Sequence, residues 1–344
     1  MSIKLFQTER VWASVGTEIL DLVQSAHGRG EAQNGQLTKD LESVLAQKYR
    51  RQYCITVGSC TDALDISLQA LQLAKNTSVA VSNYTFTASA HAIQRAGYQV
   101  TPVDVDPHYC IDPDLINNVG AIVAVDLFGN MTRYSKLNQL GIPVIVDAAQ
   151  SLESHNGDCW SAEYGFASCI SFSPSKPISS WGSGGAILTD DYEFAERCRR
   201  LRLHGKLKNT DQAISSGLNS MMSSFECAAV LVGLQYQHRW FAAREKISQY
   251  LIQNSRYATG NDTSITNSFS KLVFQSDSRS EVIQKFKDNN IDAVVHYTTL
   301  IGDEKLYQTS GLTNSKNLQA ISFTIPNQHT LTDLEVEKIA KVLQ

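Results

Sequence analysis

Tyr53-Cys54-Ile55-Thr56-Val57-Gly58-Ser59-Cys60-Thr61-Asp62-Ala63-Leu64 reads as a short β-prone run, a turn of small residues and the start of a helix. Ala63, Leu64, Ile66, Leu68 and Leu71 continue it as an apolar helical stripe. Upstream, Leu41, Val44, Leu45 and Tyr49 also recur at helical spacing. Downstream, Ser78–Ser82 predicts a strand, Thr87–Ala96 a helix stopped by Gly97, and Val100–Val105 another strand. Ala121–Leu127 and Val144–Asp147 are apolar without alternation, as strands buried on both faces are. Strands alternating with helices predict an α/β sandwich whose central sheet is mostly parallel. In such sheets ligands gather beyond the carboxyl ends of the strands.

The texture changes after Met222. Ser223 to about Ser255 predicts one long helix. Lys271–Gln275, Ala293–Tyr297 and Ile321–Ile325 are strand-like, Ser280–Asn289 is helical, and Asp333–Leu343 is a final helix with Thr332 at its N-cap. This divides the chain into a large domain over 1–240, with an N-terminal arm over 1–35, and a smaller α+β domain over 241–344.

The 344 residues suffice for two domains, and 42% hydrophobic with 19% charged residues argues against disorder. A net charge of −4 with no basic stripe speaks against a nucleic-acid partner. No apolar run approaches the ~18–20 residues that span a bilayer, so no membrane role is expected. Met1 to Arg10 shows no signal-peptide core. The seven cysteines are scattered and form no C-x-x-C pair, which disfavours zinc and dithiol chemistry. Free buried thiols in a reducing cytoplasm are the expectation. No metal site is expected.

Three segments carry chemistry. In Val57–Leu64, free N–H groups at a helix start beside a hydroxyl make an anion site, typically for phosphate. An ordinary turn capped by Thr61 would read the same way. In Val144-Ile145-Val146-Asp147-Ala148-Ala149-Gln150, a carboxylate directly follows a buried strand, which is costly unless a cation meets it. A protonated pyridine nitrogen is one such cation and a metal another; Asp147 as a helix N-cap is the alternative. In Ser171-Phe172-Ser173-Pro174-Ser175-Lys176, a lysine lies in a Ser/Pro turn ahead of Gly182-Ser183-Gly184-Gly185. Desolvation there lowers the pKa of the amine and suits it to Schiff-base chemistry; a surface lysine before a hairpin turn is the plain alternative. Together, a phosphate cradle, an Asp and then a Lys on an α/β sandwich are the parts that hold pyridoxal phosphate.

With these residues in view, the chain resembles the DegT/DnrJ/StrS family of pyridoxal-phosphate nucleotide-sugar aminotransferases from about Gly30 to its end. The matching pieces are Val57–Leu64, Tyr84-Thr85-Phe86, Pro102–Asp106, Asp147–Gln150, Ser171–Lys176, Gly182–Asp190, Leu201–Gly205, Gly217-Leu218-Asn219, His296-Tyr297 and Ile325-Pro326. The resemblance implies an aspartate-aminotransferase-like fold, pyridoxal 5'-phosphate as cofactor, and its pyridoxamine form between half-reactions. It implies Lys176 as the lysine that takes the aldehyde and Asp147 as partner of the pyridine nitrogen. Gln150 would lie near the phenolic oxygen and Phe86 on the ring. Cys60, Thr61 and Ser171 would hold the phosphate. Asn219 would reach the cofactor of the other subunit of a homodimer with shared sites. His296 and Tyr297 would lie near the sugar nucleotide.

The implied reaction moves an amino group from an amino acid, glutamate being the expected donor, to a keto sugar on a nucleotide, in the cytoplasm. Thr61-Asp62-Ala63-Leu64 is closer to members acting on 3-keto than on 4-keto sugars. Four departures stand out: Cys60 where glycine is usual, Met221 where arginine commonly binds the donor carboxylate, Asp126 where histidine is usual, and Pro177 where asparagine is common. Arg200, Arg202, His204 or Lys206 would have to take over from the missing arginine. Two other readings are a sugar dehydratase, whose relatives carry histidine in place of Lys176, and a non-catalytic regulatory protein on the same fold.

Overall fold

The computed structural model describes residues 2–207 and 210–344. Two helices open the chain, α1 (Thr8–Gly28) and α2 (Gln36–Lys48). Then β1 (Tyr53–Val57), α3 (Cys60–Leu71), β2 (Ser78–Ser82), α4 (Ala88–Arg95), β3 (Gln99–Val103), β4 (Ala121–Val125), α5 (Tyr134–Gln139) and β5 (Val144–Asp147) alternate. A small hairpin, β6 (His155–Asn156) and β7 (Cys159–Trp160), precedes β8 (Ala167–Ser171), β9 (Gly185–Thr189) and α6 (Tyr192–Arg202). The seven-stranded sheet has the order β1-β9-β8-β5-β4-β2-β3. Its strands run parallel except β9, which lies antiparallel between β1 and β8.

Alternate residues of these strands feed two separate layers. Ile55, Val57, Val79, Val123, Cys169 and Ile187 pack with α3, α4 and α6 on one face. Cys54, Ile170, Ala186 and Leu188 pack on the other with α1, α2 and α7 (Ser224–Gln253). This two-sided burial is why the strands read as continuous apolar runs. Helix α7 starts from a capping box, Ser223 with Glu226, and runs through residue 240 without a break. Beyond it, β10 (Ala258–Thr259), β11 (Leu272–Gln275) and β12 (Ser322–Ile325) form an antiparallel sheet. α8 (Arg279–Asp288), α9 (Thr313–Ile321) and α10 (Asp333–Leu343) accompany it, α10 capped by Thr332 as expected.

Four expectations are corrected. Ala293–Tyr297 is not a strand: Val294 makes a single bridge to Thr324, and Tyr297 adopts a φ of +59°, which turns the chain. The turn after β1 is capped by Ser59, whose Oγ accepts from Asp62 N at 3.0 Å, and not by Thr61. No helix follows Asp147, so it is no N-cap. Cys159 is exposed, while the other six free cysteines are buried.

Candidate active site

The carboxyl ends of β1, β2, β5 and β8 surround a cavity of about 480 Å³. Nine residues singled out from the sequence line it: Cys60, Thr61, Phe86, Asp147, Gln150, Ser171, Lys176, His296 and Tyr297. The tenth, Asn219, does not; it is exposed on a segment bridged to Leu203.

The turn at Ser59-Cys60-Thr61 presents the first N–H groups of α3, which have no partner within the helix. It is held from behind. Gly58 N donates to Ser220 Oγ at 2.8 Å, and that hydroxyl donates to Asp62 Oδ2 at 2.7 Å. Gly185, paired with Val57 and Ser171, passes so close that a Cβ there would lie 2.6 Å from Cys60 N. The glycine pair is therefore a strand start pressed onto the turn, not a hairpin turn. Ser171 is buried at the end of β8.

Asp147 ends β5 at the cavity wall. Its Oδ2 accepts from Ser89 Oγ at 2.8 Å and its Oδ1 from Ala149 N at 3.2 Å. Burial raises its pKa, and the hydrogen bonds from Ser89 and Ala149 oppose the rise. Lys176 is half-buried in the turn after β8. Desolvation pulls its ammonium below the ordinary lysine range. The Cys60 thiol is pushed well up by burial, so it is neutral beside Asp147, 3.9 Å away.

Gln150 joins the two sides of the cavity. Its Oε1 accepts from Phe128 N at 3.0 Å, and its Nε2 donates to the Tyr297 hydroxyl at 2.8 Å. Phe86 is 55% exposed at the rim, its ring 6.1 Å from that of Tyr297. His296 Nε2 has no partner. Burial, with Lys271 and Lys176 nearby, lowers the His296 pKa to about 4, so the imidazole is neutral at physiological pH. Asp126 lies off the cavity, buried, with Thr132 and Ser161 donating to it.

Three lining or supporting residues were not legible in the sequence. Ser89 falls within the helix predicted over Thr87–Ala96, with no signal of its own. Phe6 comes from the chain's start, and Lys271 from the residue before β11. The candidate replacements for the missing arginine do not line the cavity. Arg202 donates to Glu42 Oε1 and Thr56 O, both at 2.8 Å, and Lys206 pairs with Asp211.

Among the described residues no helix is long and apolar enough to cross a membrane, and no cluster of side chains could hold a metal ion. The fit to a phosphorylated pyridine aldehyde is direct. A helix start with a side-chain-free neighbour would suit the phosphate, and a buried carboxylate without an ion-pair partner lines the same cavity as an amine of lowered pKa. The fold and site define an enzyme built to hold pyridoxal phosphate and exchange amino groups. The chain belongs to the DegT/DnrJ/EryC1/StrS aminotransferase family, whose profile matches residues 13–344. The UDP-2-acetamido-2-deoxy-3-oxo-D-glucuronate aminotransferase of Pseudomonas aeruginosa is 30% identical over 289 residues, 80% of each chain. A pleiotropic regulatory protein of Geobacillus stearothermophilus is 28% identical over 316 residues, 86% of this chain and 84% of that one. The crystal structure of a DegT DnrJ EryC1 StrS aminotransferase from Brucella abortus superposes with a TM-score of 0.94 over 98% of both chains at 22% identity.

Proposed function

We propose that this enzyme transfers the amino group of glutamate to a 3-keto sugar carried on a nucleotide, as a cytoplasmic homodimer with shared sites. The observation that carries the reading is the convergence of Lys176, Asp147 and the Ser59-Cys60-Thr61 turn on one cavity. The 3-oxo position in the name of the Pseudomonas relative supports the choice of ketone. So does the Thr61-Asp62-Ala63-Leu64 variant. We read residues 1–240 as the cofactor domain and 241–344 as the smaller one.

Pyridoxal phosphate, when bound, supplies an aldehyde and a ring that draws electron density from the reacting carbon. Cys60, Thr61 and Ser171 would bind its phosphate. Asp147 would hold the proton on the ring nitrogen, and Ser89 keeps that carboxylate aimed. Phe86 would cover one ring face. Gln150, fixed by Tyr297 and Phe128 N, would sit at the phenolic oxygen. Lys176 would hold the aldehyde and, once released, carry a proton on Nζ across the open face. Its lowered pKa suits both roles, because a neutral amine attacks and accepts. Neutral His296 and Tyr297 would face the sugar.

The test is incubation with a panel of 3-keto and 4-keto sugar nucleotides, with glutamate or glutamine, reading the mass of the product. Amination of a 3-keto sugar is expected. Failure with every keto sugar would sink the reading. The regulatory alternative would be favoured by cofactor binding without turnover.

A further inference from the structure

The cavity holds a second lysine that the chemistry above does not use. Lys271 is 6% exposed and lines the cavity with Lys176. Its Nζ donates to Ser175 O at 3.1 Å and Ser270 O at 3.2 Å, and it lies 4.5 Å from the centre of the Phe6 ring. Among the described residues no carboxylate pairs with it. The titratable groups around it are Lys176 from the turn after β8, Arg244 from α7 and His296 from the segment after α8; none is acidic. Two carbonyl dipoles and an aromatic face steady an ammonium, but they do not neutralise it, and an unpaired buried cation is costly. Within one protomer, the cavity lining contains two lysines and no arginine. Lys176 is committed to the cofactor aldehyde in the proposed reaction. Met221, which stands where the resemblance would put a carboxylate-binding arginine, does not line the cavity either.

We propose that Lys271 is the specificity residue that binds a substrate carboxylate in this cavity. The inference rests on the aminotransferase reading given above. The carboxylate has two possible sources: the amino-acid donor, or an acidic sugar such as a uronate. Either supplies the negative charge that the Lys271 surroundings lack, beside a neutral His296 that can add a hydrogen bond. Burial, reinforced by Lys176 and Arg244, holds the amine of Lys271 well below the ordinary lysine range. Carboxylate binding should therefore raise the proton affinity of Lys271 and bring a proton with it at pH values where the free amine has lost one.

The experiment is calorimetric titration of the cofactor-loaded enzyme at a series of pH values from 6 to 10, in two buffers of different ionisation enthalpy at each. Glutarate probes the donor source; UDP-glucuronate against UDP-glucose probes the sugar source. Wild type should bind one of the two carboxylate probes with net proton uptake, and the probe that binds identifies the source. Lys271→Met, with unchanged cofactor content, should weaken that binding at least tenfold and abolish the uptake. Lys271→Arg, which stays charged, should keep the affinity and lose the uptake, a signature that a structural lysine would not give. Lys271→Met binding the probe or probes that wild type binds within twofold of the wild-type affinity would overturn the assignment, as would a wild type that binds neither. If Lys271→Met does not fold, Lys271→Arg decides alone, and unchanged proton uptake overturns it. Absence of wild-type transamination with every keto sugar would instead sink the aminotransferase reading.

Discussion

Ser89 donates its hydroxyl to Oδ2 of Asp147 at 2.8 Å, across from helix α4 to the end of β5. The bond satisfies a buried carboxylate without neutralising it, which under the proposed function would leave the charge for the ring nitrogen of the cofactor. Ser89→Ala should leave the fold intact and lower kcat about tenfold, the rate equivalent of ~1.4 kcal/mol. Asp147→Asn should cost several orders of magnitude, because a neutral amide cannot hold the ring proton. Steady-state kinetics on both variants checks the ranking. Near-wild-type activity of Asp147→Asn would reduce it to a structural group.

Lys176→Ala should abolish transamination and the yellow absorbance of lysine-bound cofactor, while the phosphate turn and Asp147 retain the cofactor itself. Absorbance spectra and cofactor content after gel filtration read both at once. Appreciable turnover would remove Lys176 from its assigned role.

Asn219 is exposed and outside its own protomer's cavity, next to Ser220, which braces the Ser59-Cys60-Thr61 turn. In a dimer with shared sites, mixing Lys176→Ala and Asn219→Ala subunits creates one site with both defects and one with neither. Mixing should then restore activity to a fraction of the sites, once subunit exchange is demonstrated by mass. Exchange without recovery would mean that both residues serve the same subunit's site.

Glu153 is buried, 3.5 Å from Lys48, and burial lifts its carboxyl from 4.5 to about 7. The folded protein therefore holds this proton more tightly than the unfolded chain. The stability that this gives is fully present below the unfolded value and is lost as pH rises through about 7, a change of order 3 kcal/mol. Glu153→Gln should flatten the decline, so its Tm gains on wild type between pH 5 and 8. A difference in Tm that does not vary with pH would refute the account.

Strands β1, β2 and β5 were legible to the residue because burial on both faces leaves an unbroken apolar signature. Asp147 and Lys176 were legible because each is a polar residue beside such a run. Ala293–Tyr297 misled because Ala293, Val294 and Val295 mimic a strand, whereas the left-handed Tyr297 ends it. Ser89, Phe6 and Lys271 were hidden for another reason. Each meets its partner across a long stretch of chain: Ser89 reaches Asp147, and Lys271 reaches Ser175 and Phe6. No local pattern encodes such a meeting. The cap at Ser59 was missed because Ser59 and Thr61 are equally capable acceptors and only the backbone course chooses between them.

The position of β9 between β1 and β8 has a kinetic consequence. β1 leaves the ribosome early, but among the described residues its pairing partner in the sheet is a strand that begins at Gly185. Until that strand arrives, the Ser59-Cys60-Thr61 turn has no floor. Contacts of such sequence separation form slowly, since a large loop must close first. Cofactor capture during refolding should accordingly trail the gain of helical signal, and an added cofactor would trap the finished sheet rather than speed its assembly.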